Sequence, residues 1–213
     1  WLSMASADSF DSEVIEEIIL EVSHHLDESL ESRSAVPSGL SSRFAASLGM
    51  SSAGRLGESN GNADSRNVDM VVDVIRFATF CLCSLSSWAA GRRALVSSKA
   101  AAKLVNVLSS TDDAMILEFS ALALGNCATD AEGSSVVVLG APTLCKMLKS
   151  RSVTLRRNAL IAVCNLSLNR KYARVISREA GIVSTLRSLC RSKDTLEKKR
   201  GECTLRQIEN ILA

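Results

Sequence analysis

The sequence predicts an all-α chain, a right-handed α-solenoid of about three and a half helical repeats behind an amphipathic helix and a flexible linker. Three observations carry this prediction. The 213 residues include only 2 Pro and 4% aromatic side chains, which favours long helices over a β-sandwich with its frequent turns and aromatic strands. Residues 67–213 show an almost continuous helical pattern. Segments within that region also resemble one another at a spacing of about forty residues, the mark of a stacked-repeat architecture. Apolar residues at 46% and charged residues at 23% are ordinary for a globular domain.

The division into domains follows composition. Residues 1–33 form an acidic helical segment. Within it Phe10, Val14, Ile18, Val22, Leu26 and Leu30 recur every four residues, and Ile15 and Ile19 widen the stripe. Asp11 or Ser12 can cap that helix, and Glu13, Glu16 and Glu17 suit the positive end of its dipole. Its apolar face can cover the end of a core or dock on a partner. Residues 34–66 hold 9 Ser and 5 Gly without a sustained period, as a linker or inserted loop does. Residues 67–213 form the repeat domain. The net charge of +2 conceals a division between these parts: residues 1–66 carry 4 basic and 11 acidic side chains, a net −7, and residues 67–213 carry +9.

Helical stretches in the repeat domain break near Trp88–Arg92, Ser109–Asp113, Asp130–Ser135, Lys149–Val153, Asn169–Lys171 and Arg191–Thr195. Residues 80–110, 122–150 and 161–192 align, and 205–213 begin a partial fourth copy. Ser84, Asn126, Asn165 and Asn210 occupy one landmark position, at steps of 42, 39 and 45. Leu104, Leu144 and Leu186 mark a second, at steps of 40 and 42. Both landmarks give the period of armadillo or HEAT units.

The run Gly140-Ala141-Pro142-Thr143-Leu144-Cys145-Lys146-Met147-Leu148 precedes the long helix whose end reads Ala159-Leu160-Ile161-Ala162-Val163-Cys164-Asn165-Leu166. Glu179-Ala180-Gly181-Ile182 then opens the next short helix. Together these resemble the armadillo repeat, with a Gly before a leucine-rich helix and a small-x-x-Leu-x-x-Asn-Leu pattern in the long third helix. The first unit departs from it. Ser84 replaces the Asn, and Lys99-Ala100 stand where Gly is expected. The offset of Gly140 against Gly181 also points to an irregular turn.

The resemblance implies third helices at approximately 68–86, 112–128, 153–168 and 195–212, lining a groove. Ser84, Asn126, Asn165 and Asn210 would then face it. There a carboxamide can bond an extended peptide backbone, or else a neighbouring helix end within the stack. Four residues earlier stand Phe80, Leu122, Ile161 and Arg206. None is Trp and the repeat domain is basic, so importin-like reading of Lys-rich signals is disfavoured. Eight residues earlier stand Arg76, Glu118, Arg157 and Glu202, alternating in charge. The expected partners are other proteins: an extended peptide, an acidic helix or neighbouring subunits of a larger assembly, docked in the groove or on the stack's apolar ends.

The expected role is therefore a non-enzymatic protein–protein interaction scaffold or adaptor, with no catalytic residues, metal or cofactor. The alternative is a nucleic-acid-binding repeat protein using the basic body, although 1 Tyr and 2 Trp give little base stacking. His24 and His25 are the only histidines and diverge by about 100° on a helix, which disfavours a shared metal. Cys81 and Cys83 diverge by about 200° and cannot chelate together. Seven cysteines in apolar helical patterns suit reduced thiols, hence an intracellular, reducing compartment. No stretch of 18–20 apolar residues lacks a charge, so no transmembrane segment is expected. The residues after Trp1 show neither a basic n-region nor an apolar h-region, so a secretory signal is not expected there. The chain does not open on Met, and a fragment, a processed product or a start at Met4 all stay open.

Overall fold

The computed structural model describes residues 19–24 and 63–212. Residues 34–62 of the predicted linker, and the predicted first helix outside 19–24, lie outside the described residues. Those described are helical with no strand. In order they form α1 (Ala63–Ser86), α2 (Ala89–Ser97), α3 (Ala100–Ser110), α4 (Ala114–Cys127), α5 (Ala131–Val137), a 3-10 turn (Val138–Gly140), α6 (Ala141–Met147), α7 (Val153–Ser167), α8 (Arg170–Ser177), α9 (Ile182–Leu189) and α10 (Thr195–Leu212).

The helices group into three complete triplets, each two short helices followed by a long one: α2-α3-α4, α5-α6-α7 and α8-α9-α10. Helix α1 is the long member of a preceding unit. The long helices stack in sequence, α1 on α4, α4 on α7 and α7 on α10, while the short helices pack behind them. This is an α-solenoid. Its units share one continuous core, because no triplet buries its apolar face alone. Leu82, Leu95, Leu104, Leu124, Leu144, Leu160, Leu166 and Ile176 are fully buried along it.

Local sequence sets the boundaries. Asp113, Asp130, Ser152 and Asn169 cap α4, α5, α7 and α8, accepting from the backbone N–H of Ile116, Gly133, Leu155 and Lys171. Asp194 does the same for α10, accepting from Leu196 and Glu197. Before α3 and α9 the chain turns through the left-handed region, at Lys99 (φ 65°) and Gly181 (φ 74°). The middle unit uses no such turn: a 3-10 turn through Gly140 (φ −87°) leads straight into α6. That is the irregularity the offset glycine signalled.

The outer side of α10 is polar, whereas the expectation was of apolar stack ends covered by the leading helix or by a partner. In α7, Leu160, Cys164 and Ser167 are buried. The corresponding residues of α10 are Glu202, Arg206 and Glu209, all exposed. The α8-α9-α10 unit therefore presents a polar outer face. Ile19 and Val22 of the leading helical stretch belong to the core cluster, and Lys103 Nζ of α3 donates to Ser23 O at 3.3 Å.

Candidate functional site

The shared face of α1, α4, α7 and α10 is the candidate site, and the caps give its register. Five residues beyond each cap stand Glu118 and Arg157, and each reaches the cap of the next long helix. Ser152 Oγ donates to Glu118 Oε1 at 2.6 Å, and Arg157 Nη2 donates to Asp194 Oδ2. Arg76 of α1 holds Asp113 in the same way, Nε and Nη2 donating to Oδ2 at 3.1 and 2.6 Å. Charge follows chemistry at every rung: an arginine meets an aspartate cap, and the glutamate meets a serine cap. The Arg76 guanidinium holds the Asp113 carboxyl below its ordinary range, and Arg157 does so for Asp194. These half-exposed pairs contribute little stability each and chiefly fix register between units. The alternation of Arg76, Glu118 and Arg157 thus belongs to a ladder that joins the stack. Glu202 lies outside the ladder, on the outer flank of α10.

Thirteen residues beyond the caps stand Asn126 and Asn165, both half-buried. Each carboxamide donates backward: Asn126 Nδ2 to Ser86 Oγ at 2.9 Å, and Asn165 Nδ2 to Gly125 O at 2.8 Å. Ser84 is exposed and donates to Phe80 O within its own helix. The same interval beyond Asp194 falls on Gln207; Asn210 lies one turn further, exposed on the same face. Burial confirms this register, since Cys127, Leu166 and Ile208, each one residue on, are all buried. The repeat step into the last unit is therefore 42 rather than 45. Ile161 is half-buried between Leu122 and Cys203 in the same row, and its Cγ2 lies 2.9 Å from where a Cβ on Gly125 would fall.

Several contributors were not anticipated from the sequence. Asn158, 9% exposed, donates Nδ2 to Glu118 O at 2.9 Å, a second carboxamide bond between α7 and α4. Arg156 Nε donates to Glu197 Oε1 at 2.9 Å, and Ser192 Oγ donates to Glu197 Oε2, which satisfies a carboxylate that is 1% exposed. The caps of α4, α7 and α10 carried a signal, an Asp or Ser at the predicted break before each long helix. The buried Asn158 carried only its polarity inside an apolar stripe.

Two surface features stand out on the face. Near α1 and α4, Phe80 (46% exposed) and Met115 (50%) form an apolar patch with Phe119 and Leu122. Phe80 meets Phe119 edge-on at 5.3 Å and Phe77 at 6.1 Å. At the other end, α10 presents Leu196 and Lys199, both exposed. A cleft of about 700 Å³ lies off the face, where Lys149, Arg156 and Arg191 approach Ser184, Ser188 and Glu197. Among the described residues no group of three His, Cys, Asp or Glu side chains could hold a metal ion, and no helix is long and apolar enough to cross a membrane. All seven cysteines are free thiols.

Residues 96–190 match the family model described as Armadillo-like. No curated protein matches the chain. Among solved structures it is similar to a designed armadillo repeat protein, with a TM-score of 0.62 and 16% identity over 94% of this chain and 95% of the other. A computationally designed armadillo repeat protein for modular peptide recognition gives 0.57 and 17%, covering 69% of each chain. A designed armadillo repeat protein in complex with the peptide (KR)4 gives 0.58 and 15%, over 94% and 87%.

Proposed function

We propose that this chain, an α-solenoid of the armadillo type, is a non-enzymatic protein-interaction scaffold that holds an extended segment of a partner along the face of α1, α4, α7 and α10. Armadillo folds commonly serve peptide binding, and designed neighbours with this fold recognise peptides. The single observation that carries the reading is the exposed apolar patch of Phe80 and Met115 on a face where Arg76, Glu118 and Arg157 pair with the caps of the following long helices. Exposed apolar side chains gathered at one place on a well-packed surface mark a contact site. Asn126 and Asn165 keep their carboxamide oxygens for a partner's N–H groups while their nitrogens tie the units together. Arg76, Glu118 and Arg157 hold the face in shape, and Ile161, Ser84 and Asn210 extend it.

In this reading the same surface serves an adaptor or a subunit of a larger assembly. The acidic 1–33 segment, which sends Ile19 and Val22 into the core, acts in this reading as a built-in cover of the stack, and 67–213 is the binding domain. The test is affinity purification from native cells with quantitative mass spectrometry. The full chain is compared with Met115→Arg combined with Phe80→Arg, and with Leu139→Arg, a control at a site 71% exposed away from the face. Recovery of the principal partners should fall about tenfold or more in the first variant and stay level in the control. Equal recovery in all three would overturn the groove assignment.

A further inference from the structure

Positive charge is concentrated in one stretch of the repeat domain. Residues 141–200 carry 15 basic and 3 acidic side chains, whereas residues 67–140 carry 5 and 7. Two of those three acids are engaged, Asp194 with Arg157 and Glu197 with Arg156. Within this stretch, off the long-helix face, lies the cleft of about 700 Å³, walled by the end of α6, by α7 and α9, and by the start of α10. Lys149, Arg156 and Arg191 line it together with Ser184 and Ser188. Among the described residues Glu197 is the one acid that lines it. That carboxylate is buried and both its oxygens already accept, from Arg156 and Ser192. Arg156 is fixed by Glu197 and by the carbonyls of Ser150 and Arg151, so its Nη2 has no acceptor among the described residues. Lys149 and Arg191 are exposed and pair with no carboxylate among the described residues. Lys149 Nζ sits beside the start of α9, 3.6 Å from where a Cβ on Gly181 would fall. That helix opens at Gly181 without a side-chain cap. An ammonium there meets the positive pole of the helix dipole, where a negative group is favoured.

We propose that this cleft binds a multiply phosphorylated small molecule, either free or as the headgroup of a membrane lipid. Its volume falls in the range of small-molecule sites, about 300–1,000 Å³. Lys149 offers a phosphate three N–H donors, and Arg191 offers the planar fork that meets two phosphate oxygens at once. Arg156 Nη2 and the Ser188 hydroxyl add donors from the walls. A phosphate monoester carries close to two negative charges and three acceptor oxygens, so several on one molecule match a site with more cationic donors than a single carboxylate engages. Among the described residues no aromatic side chain lines the cleft, so a nucleobase finds no ring to stack on. Leu148 and Leu189 lie buried at its wall, which leaves polar groups as the main contact. The basic stretch around the cleft draws anions toward it. This site is independent of the groove reading, and the failure of either leaves the other standing.

The experiment is isothermal titration calorimetry of the full chain with inositol hexakisphosphate. Beside it runs flotation with phosphatidylcholine vesicles that contain either phosphatidylinositol bisphosphate or phosphatidylserine. The soluble compound should bind one to one and raise Tm. Affinity should fall about tenfold or more for Lys149→Glu with Arg191→Glu, circular dichroism being unchanged. Arg170→Glu with Arg174→Glu makes the same charge change on exposed residues of α8 and should lower affinity less than about threefold, because salt screens distant surface charge. Lys149→Ala with Arg191→Ala reads the same loss if charge reversal disturbs folding. Binding of the soluble compound without flotation supports a free ligand. Flotation on the inositol lipid but not on phosphatidylserine, lost in the Lys149 and Arg191 variant, supports a lipid headgroup. Equal losses in the two charge-reversed variants, or equal flotation on both anionic lipids, would show a diffuse basic surface and overturn the proposal. Failure of both probes to bind, including where a phosphoserine peptide binds instead, would overturn it as well.

Discussion

Lys99 holds φ 65° at the turn into α3, where Gly181 holds φ 74° at the turn into α9. A side chain in the left-handed region meets its own backbone, at a cost of about 1–2 kcal/mol, whereas glycine has no Cβ to clash. Lys99→Gly should therefore stabilise the chain by about 0.5–1 kcal/mol after the greater freedom of glycine in the unfolded state is counted. A thermal melt should show Tm higher by roughly 2 °C, and a lower Tm would mean that Lys99 supplies contacts worth more than the strain. Burial acts on single residues in another way. It pushes the Cys127 and Cys145 thiols up to about 12 and Cys83 to about 11, so these side chains pack as small apolar groups. At this scale the sequence was informative where a residue type was out of place. Lys99 had displaced an expected glycine, and the left-handed turn explains why glycine was expected.

Elements meet at small residues. The first helix of a unit crosses the end of the preceding long helix so closely that a Cβ on Gly133 of α5 would fall 1.8 Å from Cys127 O. One on Gly91 of α2 would fall 2.0 Å from Leu85 O. Both glycines are the third residue of their helix, and the third residue of α8 is the buried Tyr172, so that junction is built differently. Gly133→Ala should cost about 1–3 kcal/mol although alanine is the better helix former, because the α4–α5 junction must open. Urea unfolding checks this, and an unchanged midpoint would show that the junction yields freely. Helix positions were legible from the predicted breaks because caps and periodicity are local. The crossing distances were not, since a glycine within a helical run reads the same whether it faces solvent or a carbonyl.

Across the whole molecule, charged side chains link each unit to the next. Asp113 and Asp194 have pKa values lowered by Arg76 and Arg157, from an ordinary value of 3.8. The stability they contribute is present above that unfolded value and is lost as pH falls through the lowered folded one. The urea midpoint of the full chain should therefore drop as pH is taken below about 4, and Asp113→Asn, which keeps the cap but not the charge, should drop less over the same window. Parallel pH profiles for the two proteins would show that the Arg76–Asp113 rung is not coupled to folding. The flanks also belong to this scale. Polar Glu202, Arg206 and Glu209 of α10 stand exposed where α7 buries Leu160, Cys164 and Ser167 against its neighbour.

The amino-acid sequence determined that the chain is helical and how its helices repeat, because apolar periodicity, caps and breaks act within a few residues and recur about every forty. It also placed Ser84, Asn126, Asn165, Asn210, Arg76, Glu118, Arg157 and Ile161 on the long helices. Only the tertiary structure decided what those side chains touch. Asn165 bonds Gly125 O, Arg157 the cap Asp194, and Glu118 the cap Ser152, each across 34 to 40 residues of chain. Such bonds depend on how one unit is rotated against the next, as does the close approach of Ile161 to Gly125, and no local pattern encodes that rotation. The shift of the last landmark from Asn210 to Gln207 has the same origin: burial against α7, not similarity of side chain, fixes which residue of α10 joins the row.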